Sequence, residues 1–535
     1  MNAMPPFPSA AAPHNAMQES KLRRLLARVD AYRQAGQRDS AIASLEAVVQ
    51  LQPDKVQHQL DLADLHLENE NHGAARALAM RAIEGHIESP ALALQLIKLL
   101  AALSESGLIL QIAQQLPPSM WDSANSLAHV ASQLSLVGAL DLAREFARAA
   151  VARDPSHPAA LSIHATQDVF HGDLPSAASH AERCLAYVPG DSGSHWLLSR
   201  LRLPEAERRI ERIERELARN PGGEDEANLG YALHNELHDI KQYERAWAAL
   251  ERACRAKRST LDYSTERATA LFAQLREWRA DELARDDGYP GAGPIPIFVI
   301  GQHRSGTTLA ERIVSGHSQV AQGGETYDIR AGLRRISGLH FRAESDPRVI
   351  AMRERIDYRA LGEHYLQGIA WRAKGKRYVT DKLPSNYLNL GFIARALPQA
   401  RFVHLNRDPV DVGLSNLRTL FSHACPYSYD QAEFIAHYRL YLGLMEHWRA
   451  LLPDRILDVN YQDLVDNPET ASARIASFCG LGYEPSMVQI EKRSDAVSTA
   501  SSVMMREGIR KDRSQVWKAY ESQLQPIIRA FAASY

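Results

Sequence analysis

The 535-residue sequence predicts two folded parts in series, an all-α solenoid of helical repeats followed by an α/β domain with a parallel sheet. Three observations predict this. Residues 21–284 are rich in Ala, Leu, Arg and Glu with few β-branched runs, and small residues return within them at a fixed interval. Residues 285–296, RDDGYPGAGPIP, gather three glycines and three prolines, the composition of a linker. Beyond the linker, in residues 297–535, the runs IPIFVIG, KRYVTD, ARFVHLN and RILDVNY alternate with helical stretches, as strands do in a parallel sheet.

The opening segment, residues 1–20, lacks a basic stretch followed by an apolar one, so it does not read as a secretory signal and is expected to be a disordered lead-in. A net charge of −2 with 24% charged residues gives no general case for nucleic acid or a membrane surface as partner, and any anion site must be local. No window approaches 18 uninterrupted apolar residues, so no membrane span is expected. Cys184, Cys254, Cys425 and Cys479 show no CxxC spacing, which argues against a zinc site or a disulfide framework and points to a reducing, cytoplasmic setting.

In the first part, Gly138 and Gly172, Ala143 and Ala177, Ala147 and Ala181, and Pro155 and Pro189 are each 34 residues apart. Gly36, Ala41 and Pro53 precede Gly138, Ala143 and Pro155 by 102, three times 34. This period, with small residues where paired helices touch and a closing proline, resembles the tetratricopeptide repeat. Gly73 and Pro90 mark a further unit displaced by three residues, and LGYALHNELHDIKQYERAWAALERA supplies a late one. Residues 100–130 and 195–225 fit poorly, and about five to seven units are expected. The small residues are read as helix packing. The concave surface of such a solenoid is expected to bind a polypeptide, the alternative being a homodimer contact.

The second part opens with IFVIGQHRSGTTL, in which GQHRSGTT follows the phosphate-loop pattern G-x-x-x-x-G-K-[ST] except that Thr307 stands where the lysine belongs. A strand, a glycine-bounded turn and a helix N-terminus gather unpaired N–H groups and the positive end of a helix dipole. Gly301 and Gly306 allow close backbone approach, Arg304 adds charge, and Thr307 and Thr308 add hydroxyls. ARFVHLNRDPVDVGLSNL repeats the strand-to-helix pattern: Asp408 is a candidate cap, Pro409 suits a first turn, and Arg407 and Ser415 are placed to hold a second phosphate. The alternative for Arg407 is an ion pair with a carboxylate.

RSGTTL after a strand, RDPVDVGLSNL and YQDLVDNPE together resemble sulfotransferases that use 3′-phosphoadenosine 5′-phosphosulfate (PAPS), over roughly residues 295–535, with likeness to protein-tyrosine sulfotransferases and to bacterial sulfotransferases with N-terminal tetratricopeptide repeats. The resemblance implies a P-loop-like α/β sulfotransferase domain in which Arg304, Ser305, Gly306, Thr307 and Thr308 surround the 5′-phosphosulfate and Arg407 and Ser415 bind the 3′-phosphate. VSGHSQVAQGGET matches the tyrosyl-protein enzymes without a gap, which puts Glu325 on their catalytic base; Lys382, in TDKLPSN, falls on the lysine near the transferring group. TASSVMMREGIRKDRSQVWKAY resembles the loop that closes over the nucleotide, with Ser501 or Ser502, Arg506 and Lys511 as candidates, although Glu507-Gly508 replaces the Gln-Pro or Lys-Pro pair common in that loop.

In-line transfer to a hydroxyl collects charge on the oxygen of the departing phosphate, which Lys382 and Arg304 can meet, while Glu325 can take the acceptor's proton. A sulfuryl group carries less charge than a terminal phosphoryl group, so Thr307 can replace the loop lysine and no metal is expected. The plainer alternatives are a helix cap or solvated carboxylate for Glu325, a surface position for Lys382, and packing roles for His303, His317 and Tyr427, Tyr429, Tyr438 and Tyr441. The expected activity is sulfuryl transfer from PAPS to a hydroxyl, a polypeptide tyrosine among the candidates, with residues 326–375 as acceptor-pocket loops; the rivals are a P-loop kinase and a non-catalytic scaffold.

Overall fold

A computed structural model describes residues 11–85, 87, 89–285, 287, 288, 291, 293–421, 424–493, 496, 508–510 and 515–532. It divides into two compact units: residues up to Gln115 with Ser337–Arg342, and Leu116–Ile336 with Ala343–Tyr535. The first is a run of helices, Ala11–Gln34, Arg38–Leu51, Val56–Glu68, His72–Glu84, Pro90–Leu103 and Ser106–Gln115. Its first helix begins inside the segment read as a disordered lead-in. Ala11 and Ala12 favour helix, and Pro13 falls in the first turn, where its missing N–H costs no hydrogen bond.

The 34-residue period is more regular in the backbone than in the sequence. Gly36, Glu70, Ser104, Gly138 and Gly172 all have φ between +57° and +82°, each 34 residues after the last, at the turn joining two antiparallel helices. Glycine takes this left-handed conformation at little cost, and Glu70 and Ser104 take it with strain. In the unit that Gly73 and Pro90 mark, the left-handed turn falls at Glu70, three residues before Gly73. Gly73 lies in the first turn of its helix, which Asn71 caps by accepting from Ala74 N at 3.1 Å. The irregularity that began near residue 100 is in part Ser104 standing where glycine would be recognised. The small residues behave as packing predicts: Ala41, Ala143, Ala147, Ala177 and Ala181 are fully buried.

The second unit contains helix hairpins Ala124–Leu136 with Leu140–Arg153, Pro158–His171 with Leu174–Tyr187, and Gly223–Asp239 with Tyr243–Ser259. The shorter helices Ser192–Ser199 and Ala206–Leu217 lie between the last two hairpins in sequence. It also contains the sheet: β1 (Ile295–Gly301), β2 (Val320–Ala321), β3 (Tyr378–Asp381), β4 (Arg401–Asn406) and β5 (Ile456–Asn460), in the order β2-β3-β1-β4-β5 and parallel throughout. Ile297, Phe298, Val299 and Ile300 are fully buried, the continuous apolar run required of a strand covered on both faces. The four strands legible in the sequence are present; β2, two residues long, carries too little pattern to read. Residues 326–375, read as acceptor-pocket loops, instead form the helices Asp328–Ser337, Pro347–Ala351 and Tyr358–Ala373. Among the described residues no helix is long and apolar enough to cross a membrane.

Relief of left-handed strain predicts that Glu70→Gly and Ser104→Gly each stabilise the chain by about 0.5–1 kcal/mol, while Gly172→Ala destabilises it by about 1 kcal/mol, read as shifts in urea midpoint.

Candidate active site

β1 ends at Gly301, where an added Cβ would lie 2.8 Å from the Leu405 carbonyl of β4, so only glycine lets the two strands run this close. The chain turns through Gln302–Gly306, with Ser305 N bonded to Gln302 O at 3.1 Å and Arg304 left-handed at φ 71°, into the helix Thr307–Val314. Gly306 has φ 105°, and a Cβ there would fall 2.4 Å from the Tyr461 ring. The turn is anchored at both ends, by Gln302 Nε2 donating to Tyr427 Oη at 2.8 Å and by Asn416 Nδ2 donating to His303 O at 2.8 Å. Ser305 is 1% exposed, and among the described residues its buried Oγ has no hydrogen-bond partner, nor has His303 Nδ1. Orphaned donors beside a helix N-terminus and a left-handed turn fit an anion.

The second element joins the first directly. Asp408 caps the helix Pro409–Leu417 by accepting from Val410 N and Asp411 N, each at 2.8 Å, with Pro409 in its first turn. Arg304 Nε donates to Ser415 Oγ at 3.0 Å, and Arg407 Nη1 reaches Arg304 O at 3.5 Å. Arg407 also lies 4.3 Å over the Tyr461 ring and 3.6 Å from the Asp411 carboxylate, so the ion-pair alternative for Arg407 is realised together with its place beside the loop. Burial, and then the charges of Arg407, Arg200 and Arg418, push the Arg304 pKa down to about 10, and burial lowers Arg200 to about 10. Several guanidinium groups thus share one small region and remain charged at neutral pH.

Lys382 follows β3 directly, is 1% exposed, and forms an ion pair through Nζ with Glu325 Oε1; the Glu325 side chain is 37% exposed. Their approach is set by backbone. Lys382 N donates to Gly324 O at 2.8 Å, and Gly323 lies so close to β3 that a Cβ would sit 2.0 Å from Thr380 O. Glu311, on the phosphate-loop helix, accepts from Gly324 N at 2.8 Å and from Thr380 Oγ1 at 3.0 Å, tying helix, strand and the Glu325 segment together. Burial pushes the Glu311 carboxyl up, and Lys382 opposes that. Asp381 is raised to about 7 by burial although Thr326 and Tyr365 donate to it. His303 is lowered to about 4, by burial first, with Glu325 opposing and Lys382 and Arg304 adding to the fall. The loop and the Glu325–Lys382 pair therefore lie within each other's fields.

The structure brings together Arg304, Ser305, Gly306, Thr307, Thr308, Arg407 and Ser415 around the loop and pairs Glu325 with Lys382. Lys382 is buried, so the surface reading of it is corrected. Ser501, Ser502, Arg506 and Lys511 lie outside the described residues. His317 is buried, its Nε2 3.3 Å from Glu484, and the four tyrosines near residue 430 are buried as well, as packing roles require. Sequence reasoning missed Tyr461, Glu311, Arg418 and Arg200. Arg418, one turn beyond Ser415, was the readable one. Among the described residues one group could present three metal ligands, His164, Asp168 and His180, with ligand atoms within 4.8 Å. Its carboxylate is already held by Arg144 at 3.2 Å and Ser176 at 2.7 Å, a polar core network in the hairpin Pro158–Tyr187.

Gly306→Ala forces a side chain into a left-handed turn and against Tyr461, so it should cost about 2 kcal/mol or more in urea unfolding.

Residues 296–485 match a family model described as the sulfotransferase family, and residues 22–55 match that of the tetratricopeptide repeat. An uncharacterized protein of Aquifex aeolicus (strain VF5) is 29% identical over 314 residues, covering 56% of this chain and 41% of the relative, so the chain spans about two fifths of that protein's length. Among solved structures, the sulfotransferase domain of the Synechococcus PCC 7002 olefin synthase is 22% identical, with 46% of this chain and 98% of that chain covered and a TM-score of 0.31. A sulfotransferase domain from the curacin biosynthetic pathway is 17% identical, covers 45% of this chain and 98% of its own, and gives a TM-score of 0.31. A tetratricopeptide repeat protein from Parabacteroides merdae is 15% identical, with 44% and 93% covered and a TM-score of 0.35. Residues 296–485 are thus similar to the sulfotransferase family and residues 22–55 to the tetratricopeptide repeat.

Proposed function

We propose that the chain transfers a sulfuryl group from PAPS to a hydroxyl acceptor. The observation that carries this is the Arg304–Ser415 hydrogen bond, which joins the two elements read as anion-binding, with the Glu325–Lys382 pair close by. The donor set fits a doubly anionic nucleotide. Among the described residues Ser305 Oγ is buried without a partner, the helix Thr307–Val314 begins at the turn, and Arg304 and Arg407 supply charge.

On this reading Ser305, Gly306, Thr307 and Thr308 hold the 5′ side and Arg407 with Ser415 the 3′-phosphate. The bound phosphosulfate supplies an activated sulfuryl group whose leaving oxygen gains charge. Lys382 Nζ and the Arg304 guanidinium stabilise that charge from fixed positions. Glu325 presents a half-exposed carboxylate to the acceptor and takes its proton as the hydroxyl attacks. Thr307 at the loop-lysine position favours this chemistry over phosphoryl transfer, whose greater charge calls for that lysine and magnesium. The repeats are proposed to present a polypeptide acceptor, tyrosine being one candidate hydroxyl. A cytoplasmic setting is proposed from four cysteines that are all free and buried.

Labelled-donor assays test this. Glu325→Gln should lower kcat roughly 10²–10⁴-fold with donor KM within about twofold of the parent, and Arg407→Ala should raise donor KM about tenfold or more. Magnesium-dependent phosphate transfer from ATP, or unchanged sulfate transfer by Glu325→Gln, overturns the proposal.

A further inference from the structure

We propose that His234, on the helix Gly223–Asp239, is a positioning residue that orients the Arg418 guanidinium for the donor's 3′-phosphate, making this helical hairpin part of the donor pocket. The inference rests on the reading of Arg407 and Ser415 as the 3′-phosphate site.

The hydrogen-bond pattern fixes the state of the ring. His234 is fully buried, and its Nδ1 lies 2.8 Å from Ala246 O. A carbonyl oxygen only accepts, so Nδ1 carries the proton and Nε2 presents a lone pair. Arg418 Nε donates to that lone pair at 2.8 Å. Burial and the Arg418 charge hold the imidazole well below its usual pKa, so it stays neutral. A neutral acceptor does what a carboxylate would not: it fixes the guanidinium by one edge without itself adding a negative charge, although the Asp239 carboxylate also acts on Arg418. The Nη1–Nη2 edge is then the one suited to a phosphate.

Arg418 is placed to use that charge. It is the C-cap residue of the helix Pro409–Leu417, three residues after Ser415, to which Arg304 is bonded, and its charge is among those acting on Arg304. The hairpin also grips the end of that helix. Tyr231 Oη donates to Leu417 O at 2.8 Å, and Cys254 Sγ approaches the same oxygen at 3.6 Å. His238 Nδ1 lies 2.7 Å from Tyr520 Oη, so one hairpin holds both the phosphate-binding helix and the C-terminal segment.

The test uses the full chain, with calorimetric binding of adenosine 3′,5′-bisphosphate and of AMP and with donor kinetics. His234→Ala should weaken the bisphosphate about tenfold and raise donor KM alike, with kcat within about twofold and AMP binding unchanged. His234→Gln, whose Oε1 can accept from Arg418 Nε, should recover most of the affinity. Arg418→Ala should match His234→Ala, and the double variant should be no weaker than Arg418→Ala alone. Additive losses, equal weakening of AMP, or parental affinity in a folded His234→Ala overturns the inference; should His234→Ala melt, parental affinity in Arg418→Ala does so instead. Failure of the parent chain to bind the bisphosphate overturns the sulfotransferase reading itself, a separate outcome.

Discussion

The position of β1 between β3 and β4 governs the site. Parallel strands all deliver their carboxyl ends to one edge, so the turn after β1 has the residues that follow β3 on one side and those that follow β4 on the other. That places Lys382 and Arg407 on opposite flanks of the loop Gln302–Gly306. The register demands close approach at Gly301, opposite Leu405, and the bound turn demands another at Gly306, against Tyr461. Side chains at either glycine would separate the very elements the site joins.

The electrostatics follow from that crowding. Arg304, Arg407, Arg418 and Arg200 are brought within each other's fields, and Arg304 is partly buried by the surrounding chain. Like charges in a low-dielectric region repel, and their ordering is sustained by hydrogen bonds to neutral or main-chain partners: Ser415 Oγ, Arg304 O and His234 Nε2. Asp411 offsets only part of this charge. Glu325, the carboxylate proposed to act on the acceptor, is instead matched with Lys382 on the other flank. On the proposed function, the two flanks separate anion binding from proton transfer.

The helical repeats illustrate how a periodic backbone outlasts a periodic sequence. Five turns keep a 34-residue spacing, while glycine occupies only three of them. Where the later helices meet the sheet domain, Tyr231 and Cys254 contact Leu417 and His234 contacts Arg418. Residues 195–225, where the repeat signal fades, include Arg200, a buried charge acting on the loop.

By itself, the sequence determined the class of each half, four of the five strands, the phosphate turn and its second element, and the capping role of Asp408. These are local properties, written in the period of apolar residues, in glycine where backbones must approach, and in residues that satisfy helix ends. Glu325 and Lys382 were each singled out by resemblance, yet their pairing and the contacts that enforce it, Gly323 against Thr380 and Glu311 bridging both, join positions far apart in the chain. Arg200 and His234 had no local signature. Tertiary structure alone decided their place, because a hydrogen bond or a buried charge depends on which surfaces the fold presses together, and adjacent residues do not encode that.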